Sequence, residues 1–375
     1  MPRAPRPIGD DERLEWLRLA RSEGVGPATF FTLLNHFGTI ADAIVRAPEL
    51  SIRGGRSRAI RIASKDEARR EADALASAGG RLIAWCEGDY PEPLAAIHDP
   101  PPVIAVFGNP RLISGRCVAV VGARNASAAG RRFAREIAAG LGRAGLTVVS
   151  GLARGIDAAA HDGSIETGTV AVVAGGVDNI YPAENAELYG RIAAQGAVIS
   201  EQPFGTKPTA QHFPRRNRLI SGLSLGTVVV EAAERSGSLI TARMALEQGR
   251  EVFAVPGSPL DPRCKGTNDL IRRGATLTEG AQDVIEGLSG MLRTPLAEPF
   301  SPYSADGPSH WNIDEKTLSY ARPRMLEALG PTPVTVDDLV RECQLSPAVV
   351  LTVLLELELA GRVERHPGSR FSLVS

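Results

Sequence analysis

Cys117-Val118-Ala119-Val120-Val121-Gly122-Ala123-Arg124-Asn125-Ala126-Ser127 is the stretch on which the fold turns. Its opening run is apolar throughout, with no polar residue to face water, and so reads as a parallel strand covered on both faces. Gly122 lets the chain turn, and the residues from Arg131 to Arg143 read as a helix. Working outward, the same alternation recurs. Strands are predicted at 147–150, 170–174, 197–200, 227–231 and 251–255, with helices at 183–194 and 239–248 between them. Such a βα series predicts a doubly wound, mostly parallel, Rossmann-like α/β sheet with its core over residues 116–290. Short strands at 81–85 and 103–107, broken by prolines, extend the domain back to residue 81.

In an open sheet of this kind ligands bind outside the carboxyl ends of the strands, so the following loops are the candidate site. The first, from Gly122 to Gly130, is neither G-x-G-x-x-G nor G-x-x-x-x-G-K-[ST], which argues against a dinucleotide or a P-loop nucleotide. With Gly122 at the turn, helix-start amides that can face an anion and the forked cation of Arg124, it is expected to hold a phosphate. The second, Ser150-Gly151-Leu152-Ala153-Arg154-Gly155-Ile156-Asp157, centres on Arg154, with Asp157 readable as a helix cap. From Gln202 to Val230 the chain carries Lys207, Arg215, Arg216 and Arg218 and no acid. Within that stretch His212-Phe213-Pro214-Arg215-Arg216-Asn217-Arg218 sets an aromatic ring beside cations and the Asn217 amide. This suits single-stranded nucleic acid, whose bases stack on rings while arginines hold phosphates; a plain core role for Phe213 is the alternative. Ser236, Gly237 and Ser238 read as a helix cap with spare amides, and Lys265 as a further phosphate contact.

The flanks differ in pattern. Residues 1–80 are helical, and Glu23-Gly24-Val25-Gly26-Pro27 between two apolar stripes resembles a helix-hairpin-helix (SAM-like) domain. With no Lys or Arg between Arg21 and Arg46, scaffolding or partner binding is expected of it rather than DNA binding. Residues 291–322 gather Pro, Ser and Gly and read as a linker. Residues 323–375 give three helices (324–329, 336–342, 346–360) and two strands turned at Pro367-Gly368, an order resembling a winged helix. Its third helix carries Glu356 and Glu358 and no cation, so it is expected to pack or to meet protein rather than read duplex DNA. The chain of 375 residues has a formal net charge of −1, so any polyanion site must come from local clustering. Four scattered cysteines with no C-x-x-C pair predict neither a disulfide framework nor a zinc site. Without a long apolar run or a signal-like start, the expected compartment is the cytoplasm.

Taken in order, Val121-Gly122-Ala123-Arg124, Ser150 to Asp157, Phe213 to Arg218 and Ser236-Gly237-Ser238-Leu239-Ile240-Thr241 resemble the DNA-processing protein A (DprA/Smf) family. That resemblance implies a homodimer that binds single-stranded DNA and hands it to the RecA recombinase in natural transformation, with no cofactor, no metal and no covalent chemistry. It places Arg124 and the Phe213 to Arg218 segment, taken as a loop, on the DNA; Lys207 and Lys265 are added on electrostatic grounds. The rival is a nucleotide-processing enzyme akin to the cytokinin-activating (LOG-like) phosphoribohydrolases. Their Pro-Gly-Gly-x-Gly-Thr hallmark is missing here, where Leu225-Gly226-Thr227 precedes the strand and Glu231 follows it. Asp157, Asp178 and Glu231 all lie at strand or helix ends but lack metal-site spacing. A protein-binding adaptor is the third reading, restricted to the carboxyl-terminal domain.

Overall fold

The computed structural model of the chain describes residues 4–293, 313–366 and 368–374. It divides into two compact units: one joins Gly9–Arg70 to the carboxyl-terminal residues, and the other runs from Glu71 through the sheet. Ahead of the sheet come α1 (Asp10–Ala20), α2 (Pro27–Phe37), α3 (Ile40–Arg53) and α4 (Lys65–Ser77). The sheet region begins with β1 (Arg81–Ala84), α5 (Glu92–Ala95) and β2 (Val103–Gly108). It continues through β3 (Cys117–Gly122), α6 (Ala128–Arg143), β4 (Thr147–Ser150), α7 (Ile156–Ser164), β5 (Thr169–Val172), α8 (Ala186–Gln195) and β6 (Ala197–Ser200). After these come α9 (His212–Leu223), β7 (Gly226–Val230), α10 (Gly237–Glu247), β8 (Glu251–Ala254), α11 (Lys265–Arg272), β9 (Thr276–Leu277), α12 (Ala281–Gly287) and α13 (Ser289–Arg293).

The nine strands lie in the order β1-β2-β6-β5-β4-β3-β7-β8-β9, parallel from β6 to β9, with β1 and β2 antiparallel at one edge. Side chains alternate across it. Val118 and Val120 of β3 pack into a core with α6, α7 and α12, whereas Ala119 and Val121 pack into a second core with α5, α9 and α10. Both faces are therefore covered, as the apolar strands require. The chain winds from β3 out to β6, then jumps back to place β7 on the other side of β3. The loops after β3 and β7 diverge there, which is the topological switch point where such folds bind ligands.

Two expectations about segments are corrected. Phe213 to Arg218 is not a loop but the first turns of α9, and Pro214 fits because an N-terminal turn needs no amide hydrogen from it. The predicted linker 291–322 is shorter than expected. Helix α13 enters it from one side, α14 (Glu315–Ala328) from the other, and residues 294–312 lie outside the described residues. Helix α14 runs through Pro323 because packing of Leu318, Ala321 and Met325 outweighs one lost hydrogen bond.

In the smaller unit, α14 is followed by β10 (Val334–Thr335), α15 (Val336–Cys343), α16 (Pro347–Leu359), β11 (Val363–His366) and β12 (Arg370–Leu373), a winged-helix arrangement with a three-stranded wing. Helix α16, the one that would enter a DNA groove, is apolar almost all round, and only Pro347 in it is exposed. Its second face lies against α2 and α3. A Cβ on Gly54 would sit 2.0 Å from the Glu356 carbonyl oxygen, and the Glu358 carboxylate accepts from Thr29 at 3.0 Å. Buried Glu356 receives Arg322 Nε at 2.7 Å and Nη2 at 3.0 Å, and Arg365 donates to Glu358 at 2.8 Å. The acids of this helix thus serve packing inside the unit.

Candidate nucleic-acid interface

The carboxyl-terminal edge of the parallel strands carries at least one basic or aromatic residue in each of five loops. Lys207 follows β6, Tyr181 follows β5, Arg154 follows β4, Arg124 follows β3 and Arg235 follows β7. At the usual strand spacing these five loops span about 19 Å. Helix α9 starts beside them and brings Phe213 and Asn217, one turn apart on the same face, to this edge, with Arg215 exposed in the same first turns. The Arg124 guanidinium lies 5.4 Å from the centre of the Phe213 ring, a cation–π contact. Phe213 in turn meets the Tyr181 ring at 5.5 Å and 55°. Asn217 donates to the Gly237 carbonyl at 3.4 Å, which ties α9 to the start of α10. Phe213 is half-buried and belongs to neither core cluster, so the core alternative for it does not hold.

Arg124, Lys207, Arg215 and Arg235 are exposed. Arg154 is exposed too and faces Glu184 at 3.2 Å. Lys265 opens α11 and lies in a separate cleft of about 520 Å³ with Glu234, Asp269, Arg272 and Arg273, its amine 3.8 Å from Glu234. At the start of α10 the Ser236 hydroxyl caps the Ser238 amide at 3.3 Å, and Gly237 is exposed while Ser238 is buried.

Two arginines expected on the DNA are instead turned inward, and that expectation is corrected for both. Arg216 is buried: it reaches across the top of β4 and β5, donates Nη1 to the Val172 carbonyl at 2.7 Å and lies beside Asp157. Only a glycine at 151 permits this, since a Cβ there would fall 1.9 Å from Arg216 Nη1. Burial pulls its pKa down to about 10, against the pull of Asp157. Arg218 is likewise buried. It pairs with Glu201, meets Asp99 Oδ2 at 3.2 Å and donates to the Asp99 carbonyl at 2.7 Å. The acid-free sequence around these arginines misled because their partners come from other segments.

The anion site expected at the start of α6 also has an occupant. Glu231, at the end of β7 with φ of 53°, accepts hydrogen bonds from the Ser127 amide at 2.9 Å and from the Ser127 hydroxyl. It fills the switch-point crevice so closely that a Cβ on Gly130 would lie 2.6 Å from its carboxyl carbon. Gly122 serves the same close packing, with Val230 O where its Cβ would be, so its role is steric. Asp157 is not an N-cap: it lies in the first turn of α7 and accepts from the Gly151 and Ala153 amides at 3.1 and 3.3 Å. Asp178 accepts from Gly205 at 2.8 Å. All three carboxylates considered for catalysis or metal are thus engaged with backbone, and the described residues hold no cluster fit for a metal ion.

Tyr181 and Arg235 were not singled out from sequence. Proximity of Tyr181 to Phe213 has no local signal, whereas Arg235, beside Ser236 at a helix start, could have been found.

Fold and edge together define a Rossmann-like protein that lacks a nucleotide fingerprint and presents cations and aromatic rings at its switch-point rim. The DNA recombination-mediator protein A family model matches residues 81–289, the DprA-like N-terminal HHH domain matches 10–74, and the DprA winged helix domain matches 314–369. Protein Smf of Escherichia coli is 41% identical over 283 residues, 74% of each chain, and Protein Smf of Synechocystis is 31% identical over 97% of this chain and 99% of its own. The solved DNA processing protein A of Streptococcus pneumoniae superposes with a TM-score of 0.62 at 33% identity, covering 75% of this chain and 98% of its own. That of Helicobacter pylori, described for its single-stranded-DNA binding mode, gives 0.52 at 27%, covering 56% and 96%. The chain belongs to the DNA-processing protein A (DprA/Smf) family.

Proposed function

We propose that the chain binds single-stranded DNA along the carboxyl-terminal edge of its sheet and, as a cytoplasmic homodimer, delivers it to the RecA recombinase without covalent chemistry. The observation that carries this reading is the Arg124–Phe213–Tyr181 group, with exposed Lys207 and Arg235 on loops of the same edge and exposed Arg215 in the first turns of α9. Rings stack unpaired bases and the cations neutralise phosphates, which binds a strand without reading its sequence. Gly122, Arg154, Asn217, Ser236, Gly237 and Ser238 shape or line that path, and Lys265, in its separate cleft, adds a further phosphate contact beyond it. The phosphoribohydrolase reading is disfavoured because the family's hallmark is missing and Glu231 is engaged by the Ser127 amide and hydroxyl. No single helix among the described residues is long and apolar enough to cross a membrane.

Fluorescence anisotropy with a labelled oligonucleotide, single-stranded against duplex, at about 0.15 M salt and without nucleotide or metal tests the reading. Tighter binding of the single strand is expected. Equal or absent binding refutes it. Strand exchange by RecA on DNA coated with a single-strand-binding protein, with and without this chain, tests delivery, and light scattering tests the dimer.

A further inference from the structure

Tyr181 is the unexplained residue at this edge. It is 51% exposed, yet the loop that carries it is held by hydrogen bonds at several points. The Tyr189 hydroxyl donates to the Val177 carbonyl, Asp178 accepts from Gly205 at 2.8 Å, Asn179 donates its amide to Gly176, and Asn185 donates to the Leu152 carbonyl at 2.9 Å. A rigid loop that leaves a large apolar ring in water calls for a use of that ring. No hydrogen bond is made by the Tyr181 hydroxyl among the described residues. The ring stands 5.5 Å from Phe213 and is tilted 55° to it, with Arg124 against Phe213.

We propose that Tyr181 is a base-contacting residue which, with Phe213, sets the preference for unpaired strands over duplex. The proposal deepens the single-stranded-DNA reading and rests on it. Two rings at that tilt cannot join one continuous stack, so each takes its own base and the strand bends between them. A paired base inside a duplex has both faces covered by its neighbours and cannot use either ring. The cations of the edge, by contrast, attract phosphates of either form. Affinity in general comes from the arginines and Lys207, and discrimination comes from the two rings.

The test compares wild type, Tyr181→Ala and Tyr181→Phe on a labelled single strand, on the same strand with abasic positions, and on duplex. Loss of one base–aromatic stack corresponds to about 5- to 150-fold in affinity. Tyr181→Ala is expected to weaken single-strand binding by that factor, leave the salt slope and duplex binding unchanged, and keep the melting temperature, because the ring is outside the core. Tyr181→Phe is expected to match wild type within about twofold, since the face of the ring and not its hydroxyl is used. The difference between wild type and Tyr181→Ala should shrink on the abasic strand. If wild type prefers the single strand but Tyr181→Ala does too, with unchanged affinity, this inference alone fails. An equal loss on single strand and duplex overturns it as well. If wild type shows no preference, the underlying reading fails with it.

Discussion

Arg215 and Arg216 are neighbours of one chemical type, and the structure assigns them opposite tasks. Arg216→Met removes the buried guanidinium, its hydrogen bond to Val172 and the partner of the buried Asp157 carboxylate. Losing the cation beside the buried Asp157 carboxylate and the hydrogen bond to the buried Val172 carbonyl costs about 1–3 kcal/mol. Amide hydrogen exchange of peptides covering α9 and the β4–α7 turn reports this locally. The expected acceleration there is about 5- to 150-fold for amides that exchange through opening of that region. Adding Asp157→Asn to Arg216→Met removes the stranded charge and should recover most of the loss. At a temperature where the variant is folded, its salt slope for single-stranded DNA should equal that of wild type, since Arg216 neutralises no phosphate. Arg215→Ala should do the reverse, with unchanged exchange and a slope smaller by about 0.7. The reasoning is refuted if Arg216→Met exchanges like wild type while its salt slope falls, for then Arg216 acts on the DNA after all.

Three further outcomes are expected. Arg124→Ala should lower the single-strand salt slope by about 0.7, whereas Arg218→Ala should lower the melting temperature and leave the slope alone, because Glu201 and Asp99 already neutralise Arg218. Burial, helped by Arg216, holds the His161 pKa near about 3, below its ordinary 6.5. Only the unfolded chain takes the proton in that interval, so stability is full above about pH 6.5 and falls by up to about 1.4 kcal/mol per unit toward pH 3. Thermal melts across that range should show a flatter profile for His161→Gln; identical profiles would remove His161 from the account. Glu231→Ala removes the acceptor of the Ser127 amide and hydroxyl, at a cost of about 1 kcal/mol, and frees that amide at the switch point while Ser127 still caps α6. Millimolar phosphate should then raise the variant's melting temperature but not that of wild type, and equal responses would mean that Glu231 does not hold an anion position.

The strand–helix alternation was legible because each strand is apolar on both faces and each helix has its own period, both local patterns. The same holds for the cap at Ser236 and for the packing duty of α16, whose run from Val349 to Leu359 leaves too few polar positions for a solvent face. Pattern also located the candidate edge, since loops at strand ends must meet wherever the strands are parallel. What it could not divide was the arginines. A helix turns about 100° per residue, so Arg215 faces solvent and Arg216 the interior. Which direction is interior depends on Gly151 leaving room above β4. Glu231 accepts from Ser127 from 104 residues away, Asp99 reaches Arg218 from 119, and Tyr181 meets Phe213 only because β5 ends and α9 begins at the same edge. The sequence by itself determined the elements and the rim they build, because hydrophobic period and turn chemistry act over a few residues. The tertiary structure alone decided which charges face solvent and which neutralise one another, because electrostatic pairing depends on distance in space and takes no account of distance along the chain.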